Sequence, residues 1–207
     1  MPQRDTSPEV SVWAAVLRRL LRGESADLAS IGATAGLTAE TVAAALASLS
    51  ASGAIYLSNG TVAAAYPLSG VPTQHRVRHA GTTVYACCAI DALAVPSMVG
   101  ESATMESRCA HCDQAITVQM RSDRILSSRP EDVVVFHVAR ECCGTGPTVL
   151  TRCPRINFFC GHDHLSRWRD ANPGLTGDTL TLSQAVPRAC EIFASTINLV
   201  RDEHIGE

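Results

Sequence analysis

The stretch that most constrains the fold is Tyr85-Ala-Cys-Cys-Ala-Ile-Asp-Ala-Leu-Ala-Val-Pro-Ser-Met-Val99. From Ala86 to Val99 it is apolar over a helical length, with the single acid Asp91 inside it. Pro96 also lies inside it, so we expect the first helical segment to kink or end near Val95. An acid in such apolar surroundings costs free energy unless something uses it.

Cys88 and Asp91 are three positions apart, and on a helix such positions share one face. Desolvation raises the pKa of a carboxyl group and makes it a better proton carrier near neutral pH. A thiol beside such a carboxyl predicts a catalytic pair. The structural alternative is that Asp91 caps a loop and that Cys88 packs as a small hydrophobic residue.

The residues before this stretch predict a small helical module. Apolar residues recur at helical spacing over 10–21, and Gly23 ends that helix. A short second helix ends at Gly36, and Thr38 is placed to cap a third. Two strands around Asn59-Gly60 then predict a hairpin. Three helices followed by a hairpin are typical of a winged-helix module.

A winged helix usually binds DNA through its third helix, which needs Arg or Lys for phosphates and bases. Here residues 38–52 contain no basic residue, and the hairpin over 54–66 is uncharged. The net charge of −3 offers no global attraction to nucleic acid or anionic lipid. We therefore interpret the module as a packing or partner-facing domain and expect no nucleic-acid partner.

A linker containing Pro and Gly divides the chain into a winged-helix-like N-terminal module, residues 1–72, and a thiol-rich catalytic domain, residues 73–207. In the second domain we expect a hairpin over 101–120, a strand over 132–138 and a last helix, capped by Ser183, that reaches Arg201. The predicted fold class is α+β: the helical module followed by a mixed α/β domain with a small antiparallel sheet.

Nine cysteines, all at or after Cys87, are the most informative feature of the composition. An odd number in a chain without a signal-peptide pattern argues against a disulfide scaffold. No stretch approaches the ~20 uncharged apolar residues that cross a bilayer. We therefore expect a cytoplasmic protein, with no membrane partner, whose thiols are free for catalysis or metal binding.

One cysteine set is a candidate for structural zinc: Cys109, Cys112, Cys142 and Cys143. The two-residue spacing of the first pair lets both sulfurs reach one tetrahedral ion. The second pair is adjacent, which makes a poorer chelate than a second Cys-x-x-Cys. The segment 162–164, His-Asp-His, lies in a predicted polar loop and is a weaker metal candidate.

Two motifs resemble the organomercurial (alkylmercury) lyase family. Residues 85–93 look like the Cys-Ala-Leu-Asp helix of that family, and residues 96–100 are similar to its Pro-Ala-Leu-Ile-Gly continuation. Residues 153–159, CPRINFF, resemble its Cys-Cys-His-Val-His-Phe-Phe segment, which places Cys153 at the second catalytic cysteine. Cys109 lies where the family has a further, buried cysteine, and the helical module agrees with the family's winged-helix-like front part.

The resemblance implies a role for each residue. Cys88 and Cys153 would bind mercury as thiolate nucleophiles, because thiolate is the soft ligand that suits this soft cation. Asp91 would be the general acid/base that carries a proton from a thiol to the leaving carbon. No cofactor is required. External thiols would remove the Hg(II) product, and a mercuric reductase would accept it.

The chain departs from the family pattern in the second motif. Pro154 stands where the family has a second cysteine, and Arg155 and Asn157 replace its histidines. Cys160 follows the two phenylalanines, where a small residue is expected; it is either a spare thiol near the mouth of the site or a packing residue, and we favour packing. Cys87 would point away from its neighbour, so we interpret it as part of the core.

Two other functions compete with the lyase. One is a non-catalytic protein that binds zinc or another soft metal on the same scaffold. The other is a winged-helix metal sensor. The retention of Asp91 favours the lyase, because a pure thiolate site needs no proton carrier. The uncharged third helix counts against the sensor.

Overall fold

The computed structural model describes residues 7–201, and within them the protein is α+β, as predicted. The helices are α1 (Pro8–Leu21), α2 (Leu28–Ala35), α3 (Ala39–Ala51), α4 (Ala89–Val99), α5 (Thr148–Thr151), α6 (His162–Asp170), α7 (Leu182–Ile192) and α8 (Ala194–Arg201). The strands are β1 (Ile55–Ser58), β2 (Thr61–Ala65), β3 (Leu68–Ser69), β4 (Arg76–His79), β5 (Thr82–Ala86), β6 (Ser102–Arg108), β7 (Ala115–Arg121), β8 (Arg124–Arg129), β9 (Val134–Val138), β10 (Asn157–Phe159) and β11 (Gly177–Thr181).

The N-terminal helices and hairpin form where local sequence signals predict them. Thr38 caps α3 by accepting the backbone N–H of Thr41, as predicted. Gly36 ends α2 in the left-handed conformation, which costs glycine little. Asn59 and Gly60 form the turn between β1 and β2. The winged-helix description of this module stays a prediction, as does the domain division after residue 72.

The sheets are larger than the single small antiparallel sheet that we expected. One sheet has the strand order β1-β2-β3-β5-β4-β6-β7-β8, and a second has the order β10-β9-β11, with every pair antiparallel. The difference arises at β3, because Leu68 and Ser69 lie in the stretch that we expected to be a linker. They pair with both β2 and β5 and so join the N-terminal hairpin to the rest of the sheet.

Helix α4 lies at the centre of the molecule and is buried from Ala89 through Met98. It contacts α7, α8 and strands of both sheets. The helix does not end near Val95, because it continues through Pro96 to Val99 and is capped by Gly100, whose N–H bonds to the Pro96 carbonyl at 3.0 Å. Packing on all sides of α4 compensates for the hydrogen bond that a proline cannot donate.

The C-terminal helix also differs from the prediction. Thr181, not Ser183, caps it, because Thr181 and Gln184 form a reciprocal capping box. The helix does not run unbroken to Arg201, since Phe193 separates α7 from α8.

Apolar helices raise the question of whether one could cross a bilayer. Between residues 7 and 201, no single helix has both the length and the apolar composition that a membrane span requires. Helices α2 and α3 meet the requirement only when counted together, and they are bent by 104° where they join.

Truncating the centre of α4 should destabilise the whole fold. Leu93 is fully buried, so Leu93→Ala should lower the free energy of unfolding by about 2–5 kcal/mol. The matched control is Leu126→Ala on β8, where the side chain is 51% exposed, and its effect should stay within about 0.5 kcal/mol. Urea unfolding followed by circular dichroism measures both, and equal losses would contradict the central position of α4.

Candidate active site

The beginning of α4 positions the first thiol and the acid. Cys88 is the residue before the helix, with extended backbone, and its Sγ accepts the backbone N–H of Asp91 at 3.5 Å. We expected both residues within one helix, so the capping position of Cys88 is a correction. The three-residue spacing still brings them together, because the side chain of the residue before a helix accepts the N–H of the third helical residue.

A single backbone bond brings the second thiol to this helix. Cys153 begins a short 3-10 turn, Cys153–Arg155, and Ile156 follows it. The N–H of Ala89, in the first turn of α4, donates to the carbonyl of Ile156 at 3.1 Å. The first N–H groups of a helix have no partner within it, so this acceptor both satisfies one and fixes the turn beside Cys88.

The three side chains converge at one buried site. The sulfur of Cys153 lies 3.8 Å from Oδ2 of Asp91, and the sulfurs of Cys88 and Cys153 and a carboxylate oxygen of Asp91 all lie within 4.8 Å of one another. All three residues are buried, with 2%, 3% and 5% exposure for Cys88, Cys153 and Asp91. They line one cavity of about 210 Å³.

Burial controls the protonation of these groups. Desolvation raises the pKa of Asp91 from 3.8 to about 7, although hydrogen bonds from Cys88 and Cys153 and the charge of Arg152 act in the opposite direction. Desolvation also raises the pKa of the Cys88 thiol well above its usual value, and the neighbouring Cys153 and Asp91 add to this rise. The site therefore stores protons on sulfur next to a carboxyl that titrates near neutrality.

Three further residues line the same cavity, and the sequence reasoning missed them: Tyr66, His137 and Arg152. The hydroxyl of Tyr66 accepts the N–H of Val149, and burial, followed by the neighbouring Cys153, raises the pKa of that hydroxyl. The guanidinium group of Arg152 donates to the Val138 carbonyl at 3.1 Å and lies 3.1 Å from Nε2 of His137. None of the three belongs to a recognisable motif.

The candidate zinc cysteines divide into two groups. Cys109 and Cys112 lie with Cys160 and His164, and the ligand atoms of these four are within 4.8 Å of one another. Cys142 instead lies 3.1 Å from the hydroxyl of Thr176. Cys143 is buried, and its thiol donates to a backbone carbonyl in its own turn. Cys160, which we interpreted as a packing residue, is thus part of a thiol cluster.

The thiol of Cys87 points away from the cluster that contains its neighbour Cys88. Its thiol donates to the Leu68 carbonyl at 3.3 Å, which directs it toward β3. It is buried, and desolvation raises its pKa well above the usual value. It is absent from the cluster of Cys88, Asp91 and Cys153, in agreement with its interpretation as a core residue.

Comparison with known proteins identifies the class. The family model described as alkylmercury lyase matches residues 68–194, which include α4 and the three clustered side chains. The chain is 28% identical over 170 residues to the alkylmercury lyase of Bacillus cereus, covering 82% of this chain and 75% of that protein. It is 24% identical over 166 residues to the alkylmercury lyase of Pseudomonas putida, covering 80% of this chain and 76% of that protein.

The fold agrees with this result. A crystal structure of the mercury-bound form of MerB2 superposes with a TM-score of 0.78 at 22% identity, covering 93% of this chain and 91% of that one. The chain belongs to the alkylmercury lyase family. It is therefore an enzyme of the class that cleaves carbon–mercury bonds.

Replacing the buried acid should change how stability depends on pH. Between about pH 4 and 7 the folded chain holds the Asp91 proton while the unfolded chain has lost it, so the stability of the wild type falls as pH rises through this range. Over this pH range the wild type loses on the order of 4 kcal/mol of unfolding free energy. Asp91→Asn removes this titration, so the unfolding free energy of the variant should rise relative to that of the wild type as the pH increases to about 7. Urea unfolding at several pH values measures this difference, and a constant difference would contradict the elevated pKa.

Proposed function

We propose that this chain cleaves the carbon–mercury bond of alkyl- and arylmercury compounds by protonolysis, with Cys88 and Cys153 as mercury ligands and Asp91 as the proton carrier. One observation supports this assignment above the others. Two buried thiols from distant segments and one buried carboxyl group converge at one cavity. A site that only bound metal would not need the acid.

The first step is capture of the organomercury cation. The ionised carboxylate of Asp91 accepts the proton of a neighbouring thiol, and the Cys153 sulfur, 3.8 Å from Oδ2, is placed for this transfer. The thiolate that forms is a strong soft nucleophile and replaces the weaker ligand on mercury. The displaced ligand leaves as an anion, and Asp91 now carries the thiol proton.

The second step breaks the bond. The sulfur of Cys88 adds to mercury as its thiol loses a proton, and the extra thiolate density weakens the bond between mercury and carbon. The departing carbon has carbanion character, and Asp91 donates its proton to that carbon. The carboxylate that this transfer leaves on Asp91 accepts the proton of the Cys88 thiol and then releases it to solvent, where it balances the displaced anion. The products are a hydrocarbon and Hg(II) held by two thiolates, and no redox change occurs.

Burial serves both steps. Burial raises the pKa of Asp91 to about 7, so the acid can both accept and donate a proton near neutral pH. Bound Hg(II) is released by ligand exchange with external thiols, and a mercuric reductase is the acceptor that we propose. No resident cofactor takes part.

Removing the acid should separate mercury binding from bond cleavage. With phenylmercury and excess thiol, wild-type protein should release benzene. Asp91→Ala should still bind mercury through Cys88 and Cys153 but should release benzene about 10²–10⁴-fold more slowly. Cys88→Ser and Cys153→Ser should lose both tight binding and cleavage.

Gas chromatography of benzene and mercury titration measure the two properties separately. The control is Cys190→Ser on α7, because the Cys190 sulfur lies 3.3 Å from the Ser97 hydroxyl and does not line the cavity. This variant should retain normal activity. Benzene release by Asp91→Ala at the wild-type rate would refute the assigned proton donor.

A further inference from the structure

A second thiol cluster lies outside the proposed active site. It consists of Cys109 and Cys112 in the turn between β6 and β7, Cys160 directly after β10, and His164 in the first turn of α6. Cys112 is exposed, and Cys160 and His164 are partly exposed, so packing in a core does not explain why these side chains converge.

The distances in this cluster agree with a tetrahedral ion. With zinc–sulfur distances of about 2.3 Å and a zinc–nitrogen distance of about 2.0 Å, two sulfur ligands lie about 3.8 Å apart and a sulfur and a nitrogen about 3.5 Å apart. The sulfurs of Cys112 and Cys160 are 3.7 Å apart, and the sulfur of Cys109 is 3.6 Å from Nδ1 of His164. Each of the four residues therefore has one neighbour at a distance that suits a shared tetrahedral ion.

We propose that Cys109, Cys112, Cys160 and His164 bind one structural zinc ion. Three thiolates and one imidazole complete a closed tetrahedral set, so no position remains for water or substrate. Each thiol must lose its proton to solvent when the metal binds. The site is distinct from the mercury site and differs from the set expected from sequence, in which Cys142 and Cys143 took the places of Cys160 and His164.

The surroundings favour a bound cation. Backbone N–H groups of Cys112, Cys160 and His111 are directed at the sulfur of Cys109. Backbone N–H groups directed at a sulfur stabilise thiolate, the form that binds a metal ion.

The ion would crosslink two segments that are distant in sequence, the turn over 109–114 and the residues from 160 to 164. One backbone bond already joins the turn to β10, since the N–H of Ala110 donates to the Phe158 carbonyl at 3.1 Å. Zinc would add a stronger link between the turn over 109–114 and the segment over 153–160. That segment carries Cys153 at its start and Cys160 at its end, so the ion would also limit movement of the segment that carries a catalytic thiol.

Metal content of full-length protein tests the site. Protein purified under reducing conditions, without mercury, should contain one zinc per chain by mass spectrometry. Cys112→Ser and Cys160→Ser should lose most of it, whereas Cys142→Ser and Cys153→Ser should keep it. His164→Ala should lose zinc and His164→Cys should retain it, because a fourth thiolate also completes a tetrahedral site.

Cobalt(II) provides a second readout that does not depend on how the protein was purified. Added to metal-free wild type, it should produce the intense visible bands of tetrahedral thiolate coordination, and zinc should abolish them. Chelation of zinc should lower the melting temperature of the wild type but not of Cys160→Ser. The proposal is overturned if wild type binds neither metal, if a disulfide joins Cys112 to Cys160 in the purified protein, or if zinc remains in both serine variants.

Discussion

The hydrogen bond from the Ala89 N–H to the Ile156 carbonyl is the contact on which the proposed chemistry depends. A buried helix must find acceptors for its first N–H groups outside itself. Here one acceptor comes from the segment that carries Cys153, so satisfying the backbone of α4 also places the second thiol beside Cys88 and Asp91. The same contact therefore stabilises the start of α4 and holds the segment of Cys153 beside Cys88 and Asp91.

The cost of burying Asp91 is also the source of its reactivity. A carboxyl group inside an apolar helix destabilises the fold when it is ionised, and the protein reduces that cost by raising its pKa to about 7. Hydrogen bonds from Cys88 and Cys153 and the charge of Arg152 keep the pKa from rising further. The group therefore stays poised between its two protonation states at the pH where the enzyme would work.

Two thiol clusters share the segment over 153–160 yet suit different tasks. The cluster of Cys88, Asp91 and Cys153 is buried, lines a cavity and contains an acid that can supply a proton. The cluster around Cys109 has a histidine in place of the acid and lies partly at the surface. Both clusters offer soft sulfur ligands, so the group other than thiol and the degree of burial decide which chemistry each can perform.

Local sequence signals were enough to predict the Thr38 cap, the Asn59-Gly60 turn and a helix that contains Asp91. The short spacing of Cys88 and Asp91 was also enough to predict that they lie together, although Cys88 precedes the helix. The fold was needed to show that α4 continues through Pro96, that β3 joins the hairpins into one sheet, and that Cys160 lies beside Cys109. These outcomes depend on packing between segments distant along the chain, which local patterns do not encode.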